Sequence, residues 1–178
     1  MIESKITGDT LKFLFDNTPP SPKVLEIGTL RWYTNPTHHK HWFPQASEYV
    51  MTDISAGIDV DIVSDAHTLS ETFSDFDVVI ACSVWEHLHS PWIAAQELLK
   101  VLKPGGLFFV QSHLVFPEHG YPHDYFRFTT KAFEHIFKGA SLVITEYQYP
   151  CKIVPPPGVE WHDGSAPEFL NTCIAGLK

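Results

Sequence analysis

Val24-Leu25-Glu26-Ile27-Gly28 and Phe76-Asp77-Val78-Val79-Ile80-Ala81-Cys82 are the two stretches that decide the fold. Each is an apolar, β-branched run carrying a single acid, the composition of a strand covered on both faces. Working outward, Glu48 to Asp53 reads as a second strand ending on an acid, Val60 to Val63 as a short third, and Leu107 to Ser112 as a fifth. Helix-period segments lie around them. Ile6 to Phe15 is amphipathic and is closed by Asn17 and Pro19-Pro20. Ser90-Pro91 offers an N-cap and a first-turn proline. Ala95, Leu98, Leu99 and Leu102 then recur on one face until Lys103-Pro104-Gly105-Gly106 breaks the helix. Lys131 to Phe137, capped by Thr129 or Thr130 and closed by Gly139, is a last helix. This alternation predicts βαβ units in an α/β fold with a mostly parallel sheet. Leu142 to Tyr149 and Phe169 to Leu177 read as closing strands joined by Pro155-Pro156-Pro157-Gly158; with no helix between them, they are expected to be antiparallel neighbours.

A chain of 178 residues with 44% hydrophobic content can bury one substantial core, so one domain over residues 1–178 is expected. The formal charge of -9, with 12 basic side chains and no basic cluster, argues against a nucleic-acid or anionic membrane partner. Glu3, Lys5, Asp9 and Lys12 interrupt the amino-terminal segment, which therefore resembles neither a signal peptide nor a membrane span; a cytoplasmic protein is expected. Cys82, Cys151 and Cys173 are widely spaced, without a CxxC pair, and fit reduced thiols better than a Cys151 to Cys173 bridge.

Ligands of open parallel sheets collect beyond the carboxyl ends of the strands. The polar residues placed there are Glu26, Asp53, Asp65 and the Ala81-Cys82-Ser83 turn. A carboxylate ending the second strand, with Gly28 in the first turn, suits a ribose diol, because an ionised carboxylate accepts hydrogen bonds from two adjacent hydroxyls. Each acid taken singly also reads as a turn or cap residue.

The order and spacing of several motifs then become specific. They are Val24 to Gly28, Asp53, Asp65-Ala66-His67-Thr68-Leu69, Phe76 to Ile80, Trp85-Glu86-His87-Leu88 with Ser90-Pro91-Trp92, and Leu102-Lys103-Pro104-Gly105-Gly106. Over roughly residues 20–140 the chain resembles the type 11 family of class I S-adenosylmethionine-dependent methyltransferases. Gly120 to Thr129 resembles a loop of one branch of that family. The resemblance implies a Rossmann-like, seven-stranded, mostly parallel sheet with helices on both faces and an antiparallel C-terminal strand. It also implies S-adenosylmethionine as cofactor and methyl transfer to a small-molecule oxygen or nitrogen acceptor. Glu26 and Gly28 would flank the methionine part, Asp53 would hold the ribose, and Asp65 with the Ala66 backbone would meet the adenine. Carbonyls around Ala81 and Cys82 would receive the ammonium group.

One departure matters. The family usually carries a second glycine two residues after the first, where this chain has Leu30, so Leu30 must turn its side chain aside or push the loop outward. Arg31, or a helix starting near Pro36, is the expected carboxylate anchor.

Methyl transfer from a sulfonium needs alignment and desolvation more than a base, which is required only for a protonated acceptor. His123 and Asp124 are the candidate bases and Tyr125 the pocket-shaping residue; the competing reading pairs Asp124 with Arg127 to pin the loop. Trp85, Trp92, Tyr121, Tyr125 and Phe126 form a candidate aromatic wall, with core packing as the alternative. Histidines crowd two loops, His38, His39 and His41 on one and His113, His119 and His123 on the other, but no HExxH or Cys/His spacing frames them and no metal is assigned. The non-enzyme alternatives are a methyltransferase-fold interaction module and a His-ligated metal-binding protein.

Overall fold

The computed structural model describes residues 8–32, 34–120, 123–154, 157 and 168–178. Among the described residues seven strands form one sheet: β1 (Lys23–Ile27), β2 (Glu48–Asp53), β3 (Ile62–Val63), β4 (Phe76–Cys82), β5 (Leu102–His113), β6 (Leu142–Cys151) and β7 (Glu168–Leu177). Three α-helices accompany them, α1 (Asp9–Asn17), α2 (Pro91–Val101) and α3 (Thr130–Ile136). Strand order is β3-β2-β1-β4-β5-β7-β6, with β7 antiparallel to both of its neighbours and the first five strands parallel. The order reverses between β1 and β4, which places the ligand-binding crevice beyond Ile27 and Cys82.

Alternation along the central strands builds two cores. Leu25, Ile27, Val79, Ala81, Phe108 and Val110 pack under α2 and α3, while Val24, Val78, Ile80, Leu107 and Phe109 pack under α1. The proline-flanked segment between β1 and β2 lacks a helical apolar period, and its described residues form only a 3-10 turn, Lys40–Trp42. Its Phe43 is buried, and Trp42 meets Phe15 and Phe109 edge-on, so aromatic side chains cover sheet surface that a helix would otherwise cover. The helix expected near Pro36 is therefore absent; residues 34–39 are irregular.

Three other boundaries moved. The third strand is two exposed residues, not four, because Asp59 adopts a left-handed φ of 65° and the Asp61 carboxylate accepts from Met51 N before pairing begins. The fifth begins at Leu102: the register steps from Phe76↔Leu102 to Val78↔Leu107, and Lys103 in the intervening bulge reaches Asp77 at 2.7 Å. The first helix begins at Asp9, residues 1–7 lying outside the described part. Its N-terminus is capped from β6, where the Glu146 carboxylate accepts from Asp9 N at 2.8 Å and Thr10 N at 3.3 Å. At α3 the cap is Thr129, whose hydroxyl accepts from Ala132 N at 3.2 Å. Ser90 holds the N-cap position of α2, but without a side-chain capping bond; its hydroxyl meets His89 instead. All three cysteines are free, and Cys173 is paired opposite Glu146 while Cys151 is opposite Glu168. Residues 155–156 and 158–167 of the predicted proline loop are outside the described part.

Candidate active site

At the switch point the backbone turns sharply at two strand ends. Gly28 has φ +82°, and a β-carbon there would lie 2.2 Å from Val84 Cγ2, so this position admits no side chain. Ser83, just past β4, is left-handed at φ 55°. Thr29 is buried and donates to the Asp59 carbonyl at 2.6 Å. Leu30 turns its side chain onto the β2–β3 connection: a β-carbon on Gly57 would sit 2.3 Å from Leu30 Cδ1. The bulk that replaces the family's second glycine is thus received where Gly57 lacks a side chain.

Arg31 is committed to the same connection. Its backbone N–H donates to Ile58 O at 3.1 Å, and its Nε donates to Asp59 Oδ2 at 2.6 Å. That guanidinium holds the Asp59 carboxyl below the usual carboxylate range. The expectation of Arg31 or a nearby helix as an anion site is corrected in its second half, since a three-residue 3-10 turn presents no helical N-terminus near Pro36.

The two acids expected to grip a nucleoside sit on neighbouring segments. Asp53 ends β2, half-buried, and accepts from Leu30 N at 3.2 Å and Ser55 N at 3.1 Å, which orients its carboxylate between the two loops. Asp65 caps the 3-10 helix Ala66–Glu71. Its Oδ1 accepts from His67 N at 2.8 Å and contacts His67 Nδ1 at 2.7 Å, and 43% of the side chain stays exposed. Burial pushes this carboxyl up, but the His67 hydrogen bonds outweigh it and hold it low. Ala66 is buried in the core beside it.

Glu26 takes a different part. It is 2% exposed, and both oxygens are engaged: His39 N donates at 2.9 Å, His39 Nδ1 lies at 2.7 Å and Tyr49 Oη donates at 2.6 Å. Its carboxylate closes the long β1–β2 connection onto the sheet. Burial lowers the pKa of His39, yet neighbouring Cys82 and then Glu26 push it up to about 10. Burial and then Glu26 raise the Tyr49 phenol. Cys82 is half-buried at the end of β4 and Ala81 is fully buried in the ladder.

Beyond β4, Glu86 is fully buried in the 3-10 turn Trp85–His87. Its carbonyl receives Tyr125 N at 2.8 Å, its Oε2 receives the Ser112 hydroxyl at 2.6 Å, and its Oε1 lies 3.2 Å from His113 Nε2. Burial lowers the pKa of His113. The loop after β5 holds the three residues assigned to the acceptor side. Asp124 is 3% exposed, accepts from Arg127 Nη2 at 2.7 Å and from His119 N at 2.9 Å, and the guanidinium holds its carboxyl far below the usual range. So placed it pins the loop, and a carboxylate this acidic is a weak base. His123 is exposed, and its carbonyl accepts from His87 Nδ1 at 2.6 Å. Together with Glu118, His119, Gly120, Asp124 and Tyr125 it lines a pocket of about 470 Å³.

The aromatic wall divides. Trp85 is fully buried against Phe137, hence core, while Trp92 and Tyr125 are 51% and 47% exposed and Phe126 lies between them. Tyr121 lies outside the described residues. Among the residues the sequence reading missed, Gly57 and Tyr49 matter most; both depend on contacts with residues more than twenty positions away.

A family model described as a methyltransferase domain matches residues 3–148. No curated protein sequence matches. Among solved structures, a SAM-dependent methyltransferase from Archaeoglobus fulgidus superposes with a TM-score of 0.65 at 14% identity, covering 94% of this chain and 91% of that one. The YcgJ protein from Bacillus subtilis gives 0.62 at 14% identity, with 95% and 97% coverage. Haemonchus contortus phosphoethanolamine N-methyltransferase 2 in complex with S-adenosyl-L-methionine gives 0.56 at 17% identity, covering 78% of this chain and 38% of that one. At these identities the likeness is one of fold.

Proposed function

Because the chain belongs to the methyltransferase-domain family and uses S-adenosylmethionine as its cofactor, we propose that it methylates an oxygen or nitrogen atom of a small-molecule acceptor. The observation that carries this reading is the Gly28 turn, with Asp53 aligned beside it and the bulk at Leu30 turned onto Gly57 of the β2–β3 connection.

Gly28, Asp53 and Asp65 are compatible with the cofactor, whereas Glu26, expected beside its methionine part, is taken up by His39 and Tyr49. Asp53, its carboxylate oriented by Leu30 N and Ser55 N, would accept from the ribose hydroxyls. Gly28 permits close backbone approach, and Asp65 with the Ala66 backbone would face the adenine. The turn at Ala81, Cys82 and the left-handed Ser83 would present carbonyls to the ammonium group. Arg31 acts by fixing the connection at Asp59. When bound, the cofactor supplies an electrophilic methyl on a sulfonium whose charge disperses during in-line displacement. The protein's part is therefore alignment and exclusion of water. Tyr125 and His123 line a pocket that would receive the acceptor, and His123 would take a proton there, Asp124 being held ionised by Arg127.

The small-molecule reading is tested by incubating the protein with S-adenosylmethionine and fractionated metabolite pools while measuring S-adenosylhomocysteine release. Release stimulated by a low-mass fraction is expected. Stimulation by protein or nucleic-acid fractions alone would refute it.

A further inference from the structure

Two histidines from the second of the histidine-rich loops converge on a buried acid. One donor atom each from Glu86, His113 and His119 lies within 4.8 Å of the other two. Glu86 comes from the turn after β4, His113 from the end of β5, and His119 from the following loop. Glu86 is 0% exposed, and its Oε1 makes no hydrogen bond of ordinary geometry among the described residues, facing His113 Nε2 at 3.2 Å and His87 Nε2 at 3.9 Å, whereas Ser112 satisfies Oε2 at 2.6 Å. A carboxylate oxygen left so in a protein interior is costly unless a cation faces it.

We propose that Glu86, His113 and His119 bind a divalent first-row transition metal ion. Two imidazoles and one carboxylate are the donor set of zinc and non-haem iron sites that keep open positions. Tetrahedral ligands on bonds of about 2.1 Å stand about 3.4 Å apart, and Glu86 Oε1 to His113 Nε2 is already 3.2 Å. The donor atom of the half-buried His119 lies within 4.8 Å of both.

The outer partners are those such a site requires, because a ligating imidazole is oriented by what its other nitrogen touches. His113 Nδ1 meets Asn171 Oδ1 at 3.1 Å. His119 Nδ1 lies 3.1 Å from Pro117 O and 3.1 Å from Asp124 Oδ2, which makes Nε2 the ligating atom. Asp124, pinned by Arg127, is thereby a positioning residue for His119. His119 also lines the 470 Å³ pocket, so the ion adjoins it. Resting on the methyl-transfer reading, the ion would hold an oxygen acceptor and ease loss of its proton.

The test uses the full chain made without a polyhistidine tag, titrated with Zn²⁺ by calorimetry and with Co²⁺ by visible ligand-field absorption. One equivalent should bind. Glu86→Gln, His113→Ala and His119→Ala should each weaken binding about tenfold or more, while His41→Ala, on the other histidine loop, should leave it unchanged. His119→Ala alters a half-buried loop residue and reports even where a Glu86 variant fails to fold. No saturable binding, or binding lost equally in His41→Ala, would overturn the site. S-adenosylhomocysteine binding, measured separately, reports on the cofactor reading independently.

Discussion

Replacing Glu26 probes the contact that holds the β1–β2 connection in place. In Glu26→Ala, His39 N, the His39 ring and Tyr49 Oη all lose their acceptor in a site where the glutamate is 2% exposed. Breaking a buried, hydrogen-bonded ion pair by removing one partner costs about 3–5 kcal/mol, and that is the loss expected in urea unfolding, with the m-value unchanged. The pH dependence has a definite sign. His39 in the folded protein has a pKa of about 10, above its ordinary 6.5. Its favourable interaction with Cys82 and Glu26 is therefore complete below about pH 6.5 and is lost as pH rises toward 10. Wild-type stability should fall across this window, and Glu26→Gln, which keeps the shape but not the charge, should flatten the fall. A loss under about 1 kcal/mol in Glu26→Ala, or an identical pH slope in Glu26→Gln, would refute the role assigned to the pair.

Gly57→Ala places a β-carbon 2.3 Å from Leu30 Cδ1, well inside the ordinary contact distance, and should drive Leu30 back toward the cofactor crevice. S-adenosylhomocysteine affinity should drop about tenfold, for the roughly 1–3 kcal/mol of overpacking, and Leu30→Ala in the same chain should restore it; absence of rescue would show that Leu30 is not the agent. Glu146→Ala removes the acceptor for Asp9 N and Thr10 N at the start of α1. It should cost about 1–2 kcal/mol, read as a fall of several degrees in Tm, with cofactor affinity intact.

Strands covered on both faces were the most legible parts of this chain. Val24 to Ile27 and Phe76 to Cys82 lie where their apolar runs predict, because burial on two sides leaves no competing pattern. The helix starts at Ser90-Pro91 and Thr129 were equally readable, being local, although only Thr129 caps through its side chain. The third strand was not: Val60 to Val63 has strand composition, but the left-handed Asp59 and the Asp61 bonds to Met51 set where pairing starts. The positions of Gly28, Asp53 and Asp65 at or just beyond strand ends were legible in the same way. What could not be read were the long-range pairings. Leu30 on Gly57, Glu26 on His39 and Glu86 among His113 and His119 depend on which loops meet, and spacing along the chain carries no trace of that.

The nucleoside grip by Asp53 is tested most directly by calorimetric titration of S-adenosylhomocysteine into wild-type protein and Asp53→Ala. Wild type should bind at one site, and loss of two hydrogen bonds to a charged acceptor, about 1.5–3 kcal/mol each, should weaken Asp53→Ala by at least about tenfold. Equal affinities in the two proteins, or no heat from wild type at millimolar ligand, would contradict the account.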